Sequence, residues 1–230
     1  TETILEYRTR IIFFMKNTVN TNFSYLGTRN YINSTSIIEF IHDSMGIFID
    51  DLYADYCLDI KMYKEMNINC RVDVYNSHRE YSDESVICEV ILKSDNNIKF
   101  IYFLSNHKAI NQNTVDSIYR VEEIGLCSEF SGSYKIASNN YNECIKNIIQ
   151  SNKILHLKDI DFDKFKILNM FMRNVPVEFP KYMNTLKIEI KNIGIRDTIN
   201  GGFSTLNSIN IPEINLQPIL VGFQVVRLDV

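Results

Sequence analysis

The stretch "NFSYLGTRNYINSTSIIEFIHDSMGIF", residues 22–48, decides the fold, because a polar loop leads directly into one amphipathic helix. Ser36 and Glu39 have the S-x-x-E spacing of a capping box, which predicts that a helix begins there. The apolar residues that follow recur at helical spacing and form one stripe: Ile37, Ile38, Ile41, Met45 and Phe48. The segment therefore predicts a single helix with one buried face.

After the helix the hydrophobic period changes from helical spacing to two. In "YADYCLDIKMYK", residues 53–64, every second residue from Ala54 to Met62 is apolar, and charged residues stand between several of them. This alternation is typical of a half-buried strand. Further strands are predicted at 8–16, 67–76, 84–93 and 97–105. The short connections among the later strands favour antiparallel neighbours.

The same order of elements recurs in the second part of the chain. A helix is predicted at 139–157, and strands are predicted at 163–175, 184–193, 201–209 and 217–228. Strands that start at 53, 68 and 97 have counterparts that start at 163, 184 and 217, so the offset grows from 110 to 120 residues. This repeat of pattern predicts two units, an N-terminal one at 1–125 and a C-terminal one at 126–230.

A helix followed by several antiparallel strands, present twice, predicts an α+β protein with a double hotdog fold. In that fold each of two antiparallel sheets wraps around a central helix, which covers the apolar faces of the strands. The alternative is a generic α+β sandwich whose helices pack outside the sheet.

Composition narrows the classes of function. With 45% hydrophobic residues, the chain of 230 residues can form a substantial core. A formal charge of −4 and a pI near 5.6 give no electrostatic reason to expect nucleic acid or an anionic membrane surface. No apolar run approaches the roughly 18 residues that span a bilayer, and the first residues lack a signal peptide's apolar core.

The cysteines and histidines do not indicate a metal site. Five cysteines occur without a CxxC pair, which favours reduced thiols in the core of a cytoplasmic protein over disulfides or metal ligands. The four histidines have no HExxH or other metal-ligand spacing. We therefore expect neither a metal nor a redox cofactor.

In hotdog enzymes the acyl thioester lies between two hotdog units, and the loop before the central helix contributes to the chemistry. The residues of this loop that could bind substrate are Asn22, Ser24, Gly27, Thr28 and Arg29. Backbone amides at a helix start can polarise a thioester carbonyl, and Gly27 permits close backbone approach. Arg29 suits a carboxylate or a phosphate. The same residue types also occur in any capped loop, so a purely structural role stays open.

The groups that the commonest hotdog reactions use are missing from the loop. Dehydratase hotdogs use a histidine here, and no histidine precedes His42, which lies within the predicted helix. Many thioesterase hotdogs use an aspartate or a glutamate, and residues 17–35 contain neither. His42 and Glu39 are therefore alternative general bases, although helix packing and helix capping also explain them.

The segments "FFMKNTVNTNFSYLGTRNYINSTSI", "LYADYCLDIKMYK" and "NINCRVDVYNSHREYSDESVICEVIL" resemble the N-terminal hotdog of the leinamycin-pathway LnmK family. These are double-hotdog proteins of polyketide biosynthesis that act as decarboxylase and acyltransferase. The resemblance implies that Tyr53 is the catalytic residue, which would accept the acyl group as an ester and pass it to a second thiol. The family loop carries Gly-His-Ser where this chain has "TNFS", and this difference weakens the decarboxylase assignment.

The leading functional hypothesis is an acyltransferase, with decarboxylation as a second activity, that acts on acyl-CoA or on an acyl carrier protein. Phosphopantetheine would be present only as part of the substrate. One alternative is a non-catalytic hotdog that binds an acyl ligand or a partner. Another is a thioesterase or dehydratase-like enzyme. Because hotdog units often pair again, a homodimer is also compatible with this hypothesis.

Overall fold

The structure of this protein is a computed structural model, and it describes most of the chain from residue 17 onward. The described residues are 17–26, 31–48, 56–81, 85–95, 97–110, 112–114, 119–128, 131–157, 165–179, 185–198, 202–214 and 216–227. The strand predicted at 8–16 lies outside them.

Three helices are described: α1 (Ser34–Asp43), α2 (Met45–Phe48) and α3 (Tyr141–Leu157). None of these helices is long and apolar enough to cross a membrane. The strands are β1 (Asn17–Asn20), β2 (Tyr25–Leu26), β3 (Cys57–Met62), β4 (Ile68–Tyr75), β5 (Val86–Lys93), β6 (Ile98–Ala109), β7 (Asn113–Thr114), β8 (Val121–Ser128), β9 (Ser131–Ala137), β10 (Phe165–Pro176), β11 (Thr185–Asp197), β12 (Phe203–Asn210) and β13 (Ile219–Arg227).

Eleven strands form one antiparallel sheet in the order β1-β4-β6-β5-β3-β10-β13-β12-β11-β9-β8. The first five of these strands come from the first half of the chain and the last six from the second half. The two halves meet where β3 pairs with β10, with Ile60 opposite Met172 and Leu58 opposite Val175. The two sheets expected from the sequence are therefore joined into one, because the strand after each long helix pairs with its counterpart.

A β-bulge lies at this central pairing. Between the two register pairs, Arg173 and Asn174 of β10 stand opposite the single residue Asp59 of β3. Asn174 has a φ of 56°, the left-handed conformation that asparagine tolerates better than most residues. Its backbone N–H donates to Asp59 Oδ1 at 2.9 Å, and Lys93 Nζ donates to Asp59 Oδ2 at 2.7 Å. The Asp59 carboxylate thus holds the bulge in place and forms an ion pair with Lys93 of the neighbouring strand β5.

The strands predicted from the period of two are present in both halves, with ends that differ by a few residues. Tyr56, Leu58 and Ile60 are buried, as the alternation predicted. The hairpin of β8 and β9 was not predicted, because three consecutive exposed residues, 122–124, break the alternation of β8. The predicted division at 125/126 lies inside β8, and the division into two units stays a prediction.

The two halves differ in the order in which their strands pair. In the second half β11, β12 and β13 are neighbours in chain order, whereas in the first half β6 lies between β4 and β5. The chain between β4 and β5, described at 76–81 and 85, must therefore pass β6 on one face of the sheet. Under it lies a small separate cluster, in which Val86, Tyr102 and Leu104 are buried and Tyr75, Tyr81 and Phe100 pack against them. We call this side the outer face of the sheet.

Helices α1 and α3 share one large core with the opposite, inner face of the sheet. Ile37, Ile38 and Ile41 of α1 are buried in it, together with Ile145 and Ile148 of α3. This agrees with the apolar stripes that predicted both helices. By area bookkeeping, burying each such isoleucine contributes roughly 1.5–3 kcal/mol.

The bulge allows a test of how much the stability of the β3–β10 pairing depends on the left-handed backbone of Asn174. Replacing Asn174 with Val or with Gly removes the same side-chain hydrogen bonds, but only glycine adopts the left-handed conformation at little cost. We expect Asn174→Val to be less stable than Asn174→Gly by about 1–3 kcal/mol, measured by urea unfolding. Equal free energies of unfolding for the two variants would show that the bulge can relax.

Candidate functional site

A cavity of about 280 Å³ lies at the start of helix α1, between the two halves of the molecule. Its walls come from the start of α1, from the turn that follows β3, from one side of α3 and from β13. The lining residues are Tyr31, Ile32, Asn33, Ser34, Thr35, Met62, Tyr63, Lys64, Glu65, Tyr119, Lys146, Ile149, Gln150, Lys153 and Gln224. Both halves of the molecule thus contribute to the walls of the cavity.

Asn33 organises the helix start at the cavity wall. Its Oδ1 accepts hydrogen bonds from the backbone N–H of Ser36 at 2.9 Å and from the Ser36 hydroxyl at 3.1 Å. Asn33 is therefore the N-cap, and the helix begins at Ser34. The capping box predicted from Ser36 and Glu39 is wrong, since an asparagine at the N-cap satisfies the first-turn amide more directly.

The cavity has a positive edge. Lys64 comes from the turn after β3, and Lys146 and Lys153 come from α3. Lys146, Ile149, Gln150 and Lys153 recur at the spacing that places side chains on one side of a helix. Among the described lining residues Glu65 is the only carboxylate. The positive end of the α1 dipole adds to the preference of this wall for an anion.

Glu39 bridges the two helices outside the cavity lining. Its carboxylate accepts a hydrogen bond from Asn142 Nδ2 at 3.0 Å and lies 3.5 Å from Lys146 Nζ. The Lys146 side chain is only 14% exposed, so the pair is partly shielded from water. Glu39 thus holds the ammonium group of one cavity residue in place.

His42 lies at the other end of the contact between α1 and α3. Its ring stacks on Tyr141 with 4.3 Å between the centroids, and its Nδ1 lies 3.2 Å from Asp43 Oδ1. Tyr141 donates to the Pro176 carbonyl at 2.9 Å, and burial raises the pKa of its hydroxyl well above the ordinary value. His42 therefore packs on a neutral phenol, and the structure does not bring it into the cavity.

The loop residues predicted to bind substrate are only partly within the described structure. Asn22 is exposed, and the Ser24 hydroxyl contacts Gln112 Oε1 at 3.4 Å; neither residue lines a described cavity. Gly27, Thr28, Arg29 and the predicted nucleophile Tyr53 lie outside the described residues. Their roles stay predictions.

The described cysteines do not offer a ready nucleophile. Cys57, Cys70, Cys88 and Cys144 are free thiols. Burial raises the pKa of Cys70 to about 12 and that of Cys144 to about 11, so both are neutral near pH 7. In the described part of the chain, no group of three or more His, Cys, Asp or Glu side chains could hold a metal ion.

The lysines of the cavity were missed by sequence reasoning. Lys146 and Lys153 stand seven residues apart on α3, a spacing that places them on one side of the helix. That signal could have been read from the sequence, but the pairing of this side with the start of α1 could not. The two segments are more than 100 residues apart in the chain.

Several solved structures are similar to this chain, among them the following three. A dehydratase domain from the CurJ module of the curacin polyketide synthase matches with a TM-score of 0.53 and 10% identity, over 92% of each chain. A protein described as an oleoyl thioesterase from Lactobacillus plantarum matches with a TM-score of 0.49 and 8% identity, over 91% of this chain and 96% of that one. A conserved protein with a hotdog fold from Alicyclobacillus acidocaldarius matches with a TM-score of 0.47 and 8% identity, over 87% and 89% of the chains.

The likeness to the CurJ dehydratase domain and the large antiparallel sheet with few helices fit the predicted hotdog fold. At such low identity the likeness concerns the fold alone. No protein-family model matches the chain, and no curated protein matches it in sequence.

The helix start generates a stability test that separates the two capping schemes. We expect Asn33→Ala to lower the free energy of unfolding by about 1 kcal/mol, because the first-turn amide loses its acceptor. Asn33→Asp should keep that acceptor and most of the stability. Ser36→Ala is the control, and we expect it to cost less than Asn33→Ala in urea unfolding. The reverse order would restore the capping box on Ser36.

Proposed function

We propose that this protein binds an acyl group, carried as a thioester of CoA or of an acyl carrier protein, in the cavity at the start of α1. The observation that carries the proposal is that one cavity combines a helix start with three lysines from both halves. Acyl thioesters of both kinds end in a phosphopantetheine arm, so a carbonyl and a phosphate must be accommodated together.

The start of α1 suits the thioester carbonyl of such a substrate, and the lysines suit its phosphate. The positive end of the α1 dipole can stabilise a thioester oxygen as negative charge develops there, although the Ser36 amide itself is engaged by Asn33. Lysine ammonium groups bind phosphate oxygens as strong charged donors. A volume of about 280 Å³ favours a short acyl group over a long fatty chain.

Within this proposal the preferred reaction is acyl transfer, with decarboxylation as a second activity, in the manner of the LnmK family. Tyr53 is the proposed nucleophile. The described lining contains no histidine, which speaks against the dehydratase alternative. We further propose that the two halves form a double hotdog, that the protein is cytoplasmic, and that it can pair as a homodimer.

The second candidate function is an acyl-binding protein without catalysis. It is favoured because the described lining contains neither a histidine nor a carboxylate other than Glu65. A thioesterase would need another general base, and Glu39 is already engaged by Asn142 and Lys146. Hydrolysis would therefore require that these contacts break.

The reaction is tested by intact-mass spectrometry. The protein is incubated with malonyl-, methylmalonyl- and propionyl-CoA and a holo acyl carrier protein, and acyl groups are followed on both proteins. We expect an acyl gain on the carrier that is lost in Tyr53→Phe. Tyr25→Phe is the matched control, because its hydroxyl donates to the Asn67 carbonyl outside the cavity.

Three other outcomes would decide between the alternatives. A mass that lacks carbon dioxide would add decarboxylation, and free acid without transfer would indicate a thioesterase. If the folded protein turns over no substrate but still binds CoA thioesters, the non-catalytic function replaces the transferase.

A separate prediction concerns the binding of the acyl thioester to the cavity. We expect Lys146→Ala to weaken the binding of propionyl-CoA by about tenfold, or ~1.4 kcal/mol, because one ammonium group of the positive edge is lost. Isothermal titration calorimetry measures the dissociation constant, and Lys191→Ala on the exposed side of β11 is the control. An unchanged dissociation constant for Lys146→Ala would place the ligand elsewhere.

A further inference from the structure

A row of polar side chains crosses the outer face of the first half. The strand register places Glu89 of β5 opposite Lys61 of β3 and opposite Tyr102 of β6, and Tyr102 in turn opposite Asp73 of β4. Asp73 is fully buried and Glu89 is 8% exposed. Two buried carboxylates thus flank one tyrosine on the sheet face that does not carry the helices.

The Asp73 carboxylate has a cationic partner within the protein. Arg71 places Nε at 3.3 Å from Asp73 Oδ1, and the Thr18 hydroxyl donates to the same oxygen at 3.1 Å. The Tyr81 hydroxyl lies 3.4 Å from Asp73 Oδ2. A guanidinium therefore balances this carboxylate.

Glu89 has a different set of partners. The Tyr63 hydroxyl donates to Glu89 Oε2 at 2.8 Å, and His78 Nε2 lies 3.6 Å from Oε1. Burial raises the pKa of the neighbouring Tyr102 phenol, and the Glu89 carboxylate raises it further, so the phenol stays neutral near pH 7. Among the described residues, neither a lysine nor an arginine contacts Glu89. Its side chain is only 10% exposed, and an anion so buried favours a cationic partner.

An open groove of about 310 Å³ adjoins this carboxylate. It is lined by Tyr63, His78, Arg79, Glu80, Tyr81, Val86, Glu89 and Tyr102. The Tyr81 and Tyr102 rings stand 4.8 Å apart and are tilted by 51°, so the walls are largely aromatic. Arg79 places its guanidinium carbon 5.1 Å from the centre of the adjoining Tyr75 ring, which shows that this aromatic cluster accommodates a cation.

We propose that this groove binds a small organic ammonium cation, with the ammonium group at Glu89 and the organic part against the adjoining rings of Tyr81 and Tyr102. The site lies on the outer face and is distinct from the proposed thioester cavity, although Tyr63 lines both. Glu89 and Glu80 disfavour an anionic ligand, although His78 and Arg79 also line the groove. An ammonium ligand suits both the Glu89 carboxylate and the ring faces.

The test uses the unmodified protein of 230 residues and three probes at constant ionic strength. Choline and n-butylammonium carry the charge, and 3,3-dimethyl-1-butanol is the neutral analogue of choline with the same shape. Binding is followed by saturation-transfer and chemical-shift NMR. We expect at least one ammonium probe to bind saturably, and the neutral alcohol to bind at least tenfold more weakly.

Variants locate the site. Glu89→Gln should weaken the ammonium probe at least tenfold, whereas Glu122→Gln, an exposed glutamate on β8, should leave it unchanged. Circular dichroism confirms that each variant is folded, and if Glu89→Gln does not fold, the neutral analogue on the unmodified protein still decides. Absence of saturable binding by both ammonium probes, equal binding of the alcohol, or unchanged binding by folded Glu89→Gln would overturn the proposal.

Discussion

The rest of the structure depends on the pairing of β3 with β10, because this contact turns two separate strand sets into one sheet. The pairing is fixed by Asp59, which accepts the backbone N–H of the left-handed Asn174 and the ammonium group of Lys93. Each of these central strands follows the long helix of its own half. Joining them brings α1 and α3 side by side, where Glu39 contacts Asn142 and Lys146. The cavity at the start of α1 exists because of that arrangement.

The sequence predicted the elements better than the way in which they meet. The alternation of apolar residues around Leu58 and Ile60 and the apolar side of α1 follow directly from local burial. Both elements could therefore be predicted without knowing the elements that they pack against. The β8–β9 hairpin could not, because an exposed edge strand has no apolar face to give it a period. The sequence does not single out Asn33 as the N-cap, because Ser36 and Glu39 have the spacing of a capping box. Pairing of β3 with β10 depends on contacts more than 100 residues apart in the chain, and local patterns do not encode them.

The same distinction explains how much of the candidate site was predictable. The loop before α1 was expected to contribute, and the cavity does lie at the start of that helix, with Asn33 and Thr35 in its wall. The lysines that make its edge positive come from the opposite half and from the turn after β3. The sequence predicts a capping role or a general base for Glu39, whereas in the structure its carboxylate orients Lys146. Its role could not be assigned before its neighbour on α3 was known.

The passage of the chain between β4 and β5 past β6 has a consequence for how the chain folds as it leaves the ribosome. Strands β4 and β5 emerge one after the other, yet they cannot pair as a hairpin, since β6 must lie between them. Until residue 109 has emerged, the hydrogen-bonding edges that β4 and β5 later present to β6 lack their partner strand. Such edges invite premature pairing with other chains. In the second half β11, β12 and β13 pair in order of synthesis, so these three strands can form by successive addition of hairpins.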